Sequence, residues 1–348
     1  PLIEHAESLL TGTGSDLDLR TFKLTDQSSG RLLGLRADTT PQVARIDAHI
    51  LNRQGVVRLC YAGSVLHARP VHPLAGREPL QVGAELYGLR GTSADAEVLE
   101  LAVASLHLTG LQRVRLDLGH TGVVRGLLEL AQPPAALVDD LLASLSAKDV
   151  PTLQRQSMAL PAEVRSALQA LVRMNGGREV LTDARRQLPA SAAITAALDE
   201  LDAIVERCGA EGVSIDLSDL HGYRYHTGVT FAVHTADSPN AVLRGGRYDD
   251  IGKAFGRARP AVGFSIYLRE LAGLAEDRPP RAIRAPADDD QRLRALIAKL
   301  RTAGEIVVQR LPGEADGEHE SEFVFDRLIE RRDDAWSVVS SHETERDN

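Results

Sequence analysis

Cysteine is scarce here: only Cys60 and Cys208 occur in 348 residues. Two thiols cannot build a disulfide framework or a zinc cluster. Free, buried thiols are expected rather than a single bridge, as in a reducing cytoplasm. Aromatic residues make up only 4%. Lysine is confined to Lys23, Lys148, Lys253 and Lys299, so the positive charge is nearly all arginine, spread evenly along the chain. The 40 basic residues are outnumbered by 49 acidic ones, for a net charge of −9. A nucleic-acid surface covering the whole protein is therefore unsupported, though a local basic patch is not excluded. No run of 18 apolar residues exists, which excludes an apolar membrane-spanning helix. The first residues, PLIEHAESLL, lack a basic region and a small-residue cleavage site, so no signal peptide is visible. There is no Gly-Lys-Ser/Thr phosphate loop, no G-x-G-x-x-G and no G-x-S-x-G elbow. The 11 histidines are scattered, and His67 and His72 share a loop without a partner set for a metal. No metal and no cofactor are expected.

What remains is the composition of an ordinary globular protein, 43% hydrophobic and 26% charged. The length suggests two domains. Pro1 stands directly before an apolar helical pattern, Leu2 to Leu10, so a preceding segment is expected to be missing. Residues 22–35 read as a hairpin, and Thr39-Thr40-Pro41 as the start of a helix over 41–52. Val56–Val65 and Leu80–Leu86 read as strands joined by a polar loop, 67–79. A helix over 93–108 and a strand over 114–118 follow. Residues 123–208 repeat Ala and Leu at helical spacing, which predicts an all-helical insert. Strand character returns at 214–217, 229–233 and 241–243, and 263–274 reads as a helix. A Pro- and Asp-rich linker is expected over 277–290, then a small αβ unit over 291–348 with a frayed end. The strands arrive in pairs, so the fold class is α+β, a mostly antiparallel sheet with helices.

Several stretches carry polar chemistry. Arg36-Ala37-Asp38-Thr39-Thr40 puts a charge pair and two hydroxyls at a strand-to-helix junction. Asp38 could accept from an ammonium group, with Thr40 beside it; plain helix capping explains the same residues. Between Leu80 and Tyr87 the chain alternates, so Gln81, Gly83, Glu85 and Tyr87 share one strand face. Gly83 would leave room for something lying across it; a solvated face is the other reading. Residues 222–228 pack polar aromatics between two glycines. Arg244-Gly245-Gly246-Arg247 reads as a glycine turn flanked by guanidinium groups, and Gly256-Arg257-Ala258-Arg259 follows. Such turns often hold a carboxylate or phosphate.

Taken in order, these segments resemble the catalytic core of class II histidyl-tRNA synthetases. They are closer still to a non-aminoacylating paralogous family, the regulatory subunits of ATP phosphoribosyltransferase. The resemblance rests on Leu35–Arg45, Leu59–Leu66, Arg77–Glu85, Arg244–Asp249 and Gly256–Ser265, and it covers nearly the whole chain. It implies a class II synthetase-like fold over 1–276, an antiparallel sheet flanked by helices with the helical insert, and the small C-terminal unit beyond. Pro1 would match the proline ending the family's first dimer motif. Three departures separate this chain from the synthetases. His221 stands where the resemblance expects an activating arginine. Glu270 replaces the arginine of the last motif, which meets the ATP phosphates, and His67 replaces that of the second motif, with Arg69 nearby. Losing one charge-assisted contact costs about 1.5–3 kcal/mol, and Glu270 would repel a triphosphate. The C-terminal unit is acidic and poorly suited to an anticodon stem, so no tRNA is expected.

The resemblance also places Asp38, Thr40, Gln81 and Glu85 at histidine-binding positions. Tyr248 would meet the imidazole, and His226 replaces a tyrosine there. The implied function is regulatory and not catalytic. The chain would activate a short-form ATP phosphoribosyltransferase catalytic subunit in the first step of histidine biosynthesis and convey feedback by histidine. It would act in the cytoplasm, as a dimer within a hetero-octamer. The alternatives are a histidine–tRNA ligase and a stand-alone amino-acid sensor.

Overall fold

The computed structural model describes the chain except residues 12–14, 71–74, 112–113, 210–211, 237, 239, 275–278, 315–318 and 342–348. His72, part of the loop after Gly313, the first linker residues and the end read as frayed lie outside the described residues. The chain divides into two compact units, Pro1–Ala275 and Glu276–Asn348.

The first unit opens with β1 (Ile3–His5), a short helix Ala6–Leu10, a helix Ser15–Arg20, β2 (Phe22–Thr25) and β3 (Leu32–Leu35). The expected hairpin is present, with Phe22 opposite Leu35, and β1 pairs with the other edge of β3. The apolar pattern of 2–10 is thus split between a strand and a helix rather than forming one helix. A helix Thr40–Arg45 continues as a π-helix over Ile46–Leu51, ending at Asn52 with φ of 42°. It carries Asp38 and Thr40 at its start.

The main sheet comprises β4 (Val57–Ser64), β5 (Leu80–Tyr87), β6 (Val114–His120), β7 (Asn175–Gly176), β8 (Val213–Asp216), β9 (Val229–Thr235), β10 (Leu243–Arg247) and β11 (Ala261–Tyr267). Their order is β4-β5-β11-β10-β9-β6-β8-β7, antiparallel throughout except between β6 and β8. Direct antiparallel partners point to the same face of a sheet. One face therefore gathers Leu86, Leu116, Leu118, Phe231, Val233, Leu243, Phe264 and Ile266, all buried. The helices Thr92–His107, Thr121–Ala131 and Ala192–Cys208 supply the other side of this core. The insert is helical as expected, with further helices Ala135–Ser146, Val150–Gln156, Ala162–Leu171 and Glu179–Gln187. Its one strand is the two-residue β7, which pairs with β8.

Two expectations fail at β10 and β11. The supposed glycine turn at 244–247 is strand β10. The supposed helix from Gly263 is strand β11, with only Leu268–Ala272 helical after it. The glycines do not turn the chain there. They lie flat because neighbouring side chains occupy the space above them. The cysteines are free, but Cys60 is exposed and Cys208 only half-buried, against the expected burial.

The second unit contains β12 (Arg281–Ala285), a helix Gln291–Thr302, β13 (Val307–Gln309), β14 (Val324–Arg332) and β15 (Ala335–Ser340). Strand β12 lies inside the stretch read as a linker and is central, parallel to both β13 and β14. Pro279, Pro280 and the aspartates that suggested a linker flank it. Ile283, Leu293, Ile297, Val307 and Ile329 form this unit's core.

Candidate functional site

The sheet face opposite the helical core is polar, and it builds the site. Two cross-strand rows define it. Tyr61, Gly83, Ser265 and Arg244 are successive partners from β4 to β10. In the next row Leu59, Glu85, Gly263, Gly246 and Thr230 are partners from β4 to β9. The alternation read in β5 is correct, but its Gln81/Glu85 face is not solvated. Gln81 is 1% exposed and Glu85 2%.

Gln81 ties the strand-to-helix junction to the sheet. Its Oε1 accepts from the Thr39 N–H at 2.9 Å. Its Nε2 donates to Asp38 Oδ1 at 2.9 Å and to Ser265 Oγ at 3.0 Å. Asp38 Oδ1 also accepts from the Thr40 N–H at 3.0 Å, so it caps the helix and faces the site at once. Arg36 does not pair with Asp38; its Nε donates to the Ser64 carbonyl at 2.9 Å. Thr40 Oγ1 donates to Glu85 Oε1 at 3.0 Å and lies 3.2 Å from Tyr61 Oη, which is 2.8 Å from Ser265 Oγ. What lies across Gly83 is Tyr61: a Cβ there would stand 2.4 Å from its hydroxyl. The room expected above Gly83 is filled by the protein itself.

The glycine floor of the second row is open to Glu85 and His226. A Cβ on Gly263 would stand 1.5 Å from Glu85 Oε2, and one on Gly246 2.7 Å from His226 Cδ2. Glu85 Oε2 is buried with no hydrogen-bond partner among the described residues, as are His226 Nδ1 and the hydroxyls of Tyr87, Tyr225 and Tyr248. An unsatisfied buried polar group costs roughly 1–3 kcal/mol. Several in one place mark a cluster of side chains with polar capacity to spare. Tyr225 stacks on Tyr248 with centroids 5.0 Å apart and meets the His226 ring edge-on at 5.4 Å. Burial raises the Glu85 carboxyl well above the usual range, and Asp38 adds to it against the Thr40 hydrogen bond. Burial lowers His226 to about 4, so its ring is neutral at physiological pH.

The structure thus brings Asp38, Thr40, Gln81, Glu85, His226 and Tyr248 to one face of the sheet or its rim. Sequence reasoning missed Tyr61, Tyr225 and Ser265. Alternation in β4 could have placed Tyr61; Ser265 was hidden by reading β11 as a helix.

The three positions of altered charge lie around this site. His67 is fully buried, and its Nε2 is 3.1 Å from the Ala37 carbonyl, beside Asp38. Burial, then the Arg20 charge, lowers its pKa. Glu270 sits half-buried on the helix after β11 and helps raise Tyr267, whose phenol is pushed up chiefly by burial and then by Asp38. His221 is exposed, its N–H bonded to Asp219 Oδ1 at 3.0 Å. Among the described residues no cluster of His, Cys, Asp and Glu could hold a metal ion, and no helix is long and apolar enough to cross a membrane.

Comparison with known proteins adds two family matches. The family model for histidyl-tRNA synthetase matches residues 1–271, and that for the C-terminal domain of the ATP phosphoribosyltransferase subunit HisZ matches residues 280–339. The ATP phosphoribosyltransferase regulatory subunit of Ralstonia pickettii is 56% identical over 339 residues, covering 97% of this chain and 87% of that protein. That of Cupriavidus necator is 55% identical over 341 residues, covering 97% and 88%. A crystal structure of an ATP phosphoribosyltransferase regulatory subunit/histidyl-tRNA synthetase from Bacillus halodurans superposes with a TM-score of 0.79 at 29% identity. It covers 94% of this chain and 87% of that one.

Proposed function

Because this chain belongs to the family of ATP phosphoribosyltransferase regulatory subunits, we propose that it regulates that enzyme and catalyses no reaction of its own. It activates the short catalytic subunit in the first step of histidine biosynthesis and relays feedback by histidine. The relatives' shared identity over 97% of the chain carries this reading.

The site supports it in two ways. The half suited to an amino acid keeps its acidic and amide residues, with His226 replacing a tyrosine. Asp38 and Gln81 accept an ammonium, while Glu85, Tyr225 and Tyr248 surround an imidazole. Burial holds the Glu85 carboxyl well above the usual carboxylate range. An imidazole arriving beside it can hydrogen-bond or ion-pair with this buried carboxyl. The half needed for ATP is altered. Glu270, His67 and His221 stand where the synthetase pattern has cations, so adenylate formation is lost. Feedback then requires that histidine bind two states of the assembled enzyme unequally. Assembly as a dimer within a hetero-octamer, in the cytoplasm, belongs to the same proposal.

Histidine-dependent ATP–pyrophosphate exchange tests the non-catalytic part. The expected rate is the background without protein. Exchange at a rate typical of synthetases would make the chain a histidine–tRNA ligase instead.

A further inference from the structure

The glycine-rich stretches are dense in arginine, yet most of these guanidinium groups are spoken for. Arg247 is buried and paired with Asp95 at 2.7 Å and Asp249 at 3.0 Å. Arg259 is paired with Asp47 at 2.8 Å, and Arg257 donates to the carbonyls of Asp47 and Arg53. Arg247 and Arg259 do hold carboxylates, but those of the protein itself, and Arg257 holds backbone carbonyls. They brace the protein internally.

Arg244 is the exception in this group. It is half-buried, and no hydrogen bond or ion pair joins its guanidinium to any described residue. Asp219, Asp117 and Tyr267 are near enough to influence it, but none lies within salt-bridge distance. Both oxygens of Asp117 are engaged by Arg115, at 2.9 and 3.1 Å. Asp219 accepts from the His221 N–H. A guanidinium this far out of water without a fixed anion is costly unless a ligand supplies one.

Its place on the sheet says which part of a ligand it meets. Arg244 is the direct partner of Ser265, on the site face. Ser265 Oγ is 3.0 Å from Gln81 Nε2, which is 2.9 Å from Asp38 Oδ1. Tyr267, the partner of Gln81, is raised by the Asp38 charge and lowered by Arg244, so it feels both groups. Two strand spacings, roughly 10 Å, separate the backbones of β5 and β10. A long arginine side chain covers most of that gap. An α-amino acid with its ammonium on Asp38 and Gln81 presents its carboxylate toward the remainder.

We propose that Arg244 binds the α-carboxylate of the amino acid seated between Asp38, Gln81 and Glu85. The assignment rests on the amino-acid reading of the site given above. Guanidinium–carboxylate recognition is planar and often bidentate, so it selects amino acids over the corresponding amines.

Calorimetric titration of the whole protein with L-histidine and with histamine, which lacks the carboxylate, tests this. The wild type should prefer histidine by about tenfold or more, the range of one charge-assisted contact. Arg244→Ala should erase that preference by weakening histidine alone, with histamine affinity unchanged. An Arg244→Ala protein that keeps the preference overturns the assignment while leaving the amino-acid site standing. If Arg244→Ala binds neither compound, Arg244→Lys decides: a reduced preference supports the assignment and an unchanged one overturns it. A wild type that binds neither compound overturns the amino-acid reading and this assignment with it.

Discussion

At Glu85 two demands meet in one side chain. Oε1 is held by Thr40, while Oε2 faces the floor at Gly263 without a partner among the described residues. Burial keeps the proton on, above the ordinary value of about 4.5. From pH 4.5 upward the unfolded chain releases this proton while the native chain retains it. Stability is therefore fullest below 4.5 and falls as pH rises toward the native value. Glu85→Gln keeps the shape and removes the titration. Its stability relative to wild type should grow between pH 5 and pH 8 in urea unfolding, while histidine affinity drops about tenfold or more. A pH-independent difference would contradict the burial of an ionisable group at this position. The neutral His226 ring over Gly246 belongs to the same dry corner.

Strands β5, β11 and β10 turn these side chains into a surface. Their middle positions are glycines because the space above is occupied from across the sheet. At Gly263 a Cβ would also stand 2.8 Å from the Ala84 carbonyl, which is backbone and cannot swing aside. Gly263→Ala should cost roughly 1–3 kcal/mol in chemical denaturation and displace Glu85 from the site, abolishing histidine binding. A stable variant with normal binding would show that the floor is looser than drawn. This floor also marks what the sequence could and could not disclose. The Gln81/Glu85 face of β5, the hairpin of β2 and β3 and the helical insert follow from local periodicity, and each was legible. Strands β10 and β11 were not. Gly245-Gly246 and Gly263 look like turn formers locally, and only Phe231 over Gly245, His226 over Gly246 and Glu85 over Gly263 explain why they lie in strands. The same blindness hid Ser265, and it left Arg244 and Arg247 indistinguishable. Which arginine has a carboxylate beside it depends on Asp95, far away in sequence. Strand β12 was obscured by its own flanks, since Pro279, Pro280 and three aspartates outweigh five apolar-patterned residues.

Over the whole molecule the sheet serves two purposes with its two faces. The apolar face, backed by helices, gives the first unit its stability. The polar face gathers Asp38, Thr40, Gln81 and Glu85, the residues proposed above to meet an amino acid. The second unit has its own small core, and the chain as a whole is acidic, with a net charge of −9. The most direct measurement is ATP phosphoribosyltransferase turnover by the cognate short catalytic subunit, with and without this protein, as histidine is titrated in. The account predicts that turnover rises when the protein is added and falls again with histidine. Turnover unaffected by the full-length protein at any histidine concentration would contradict it.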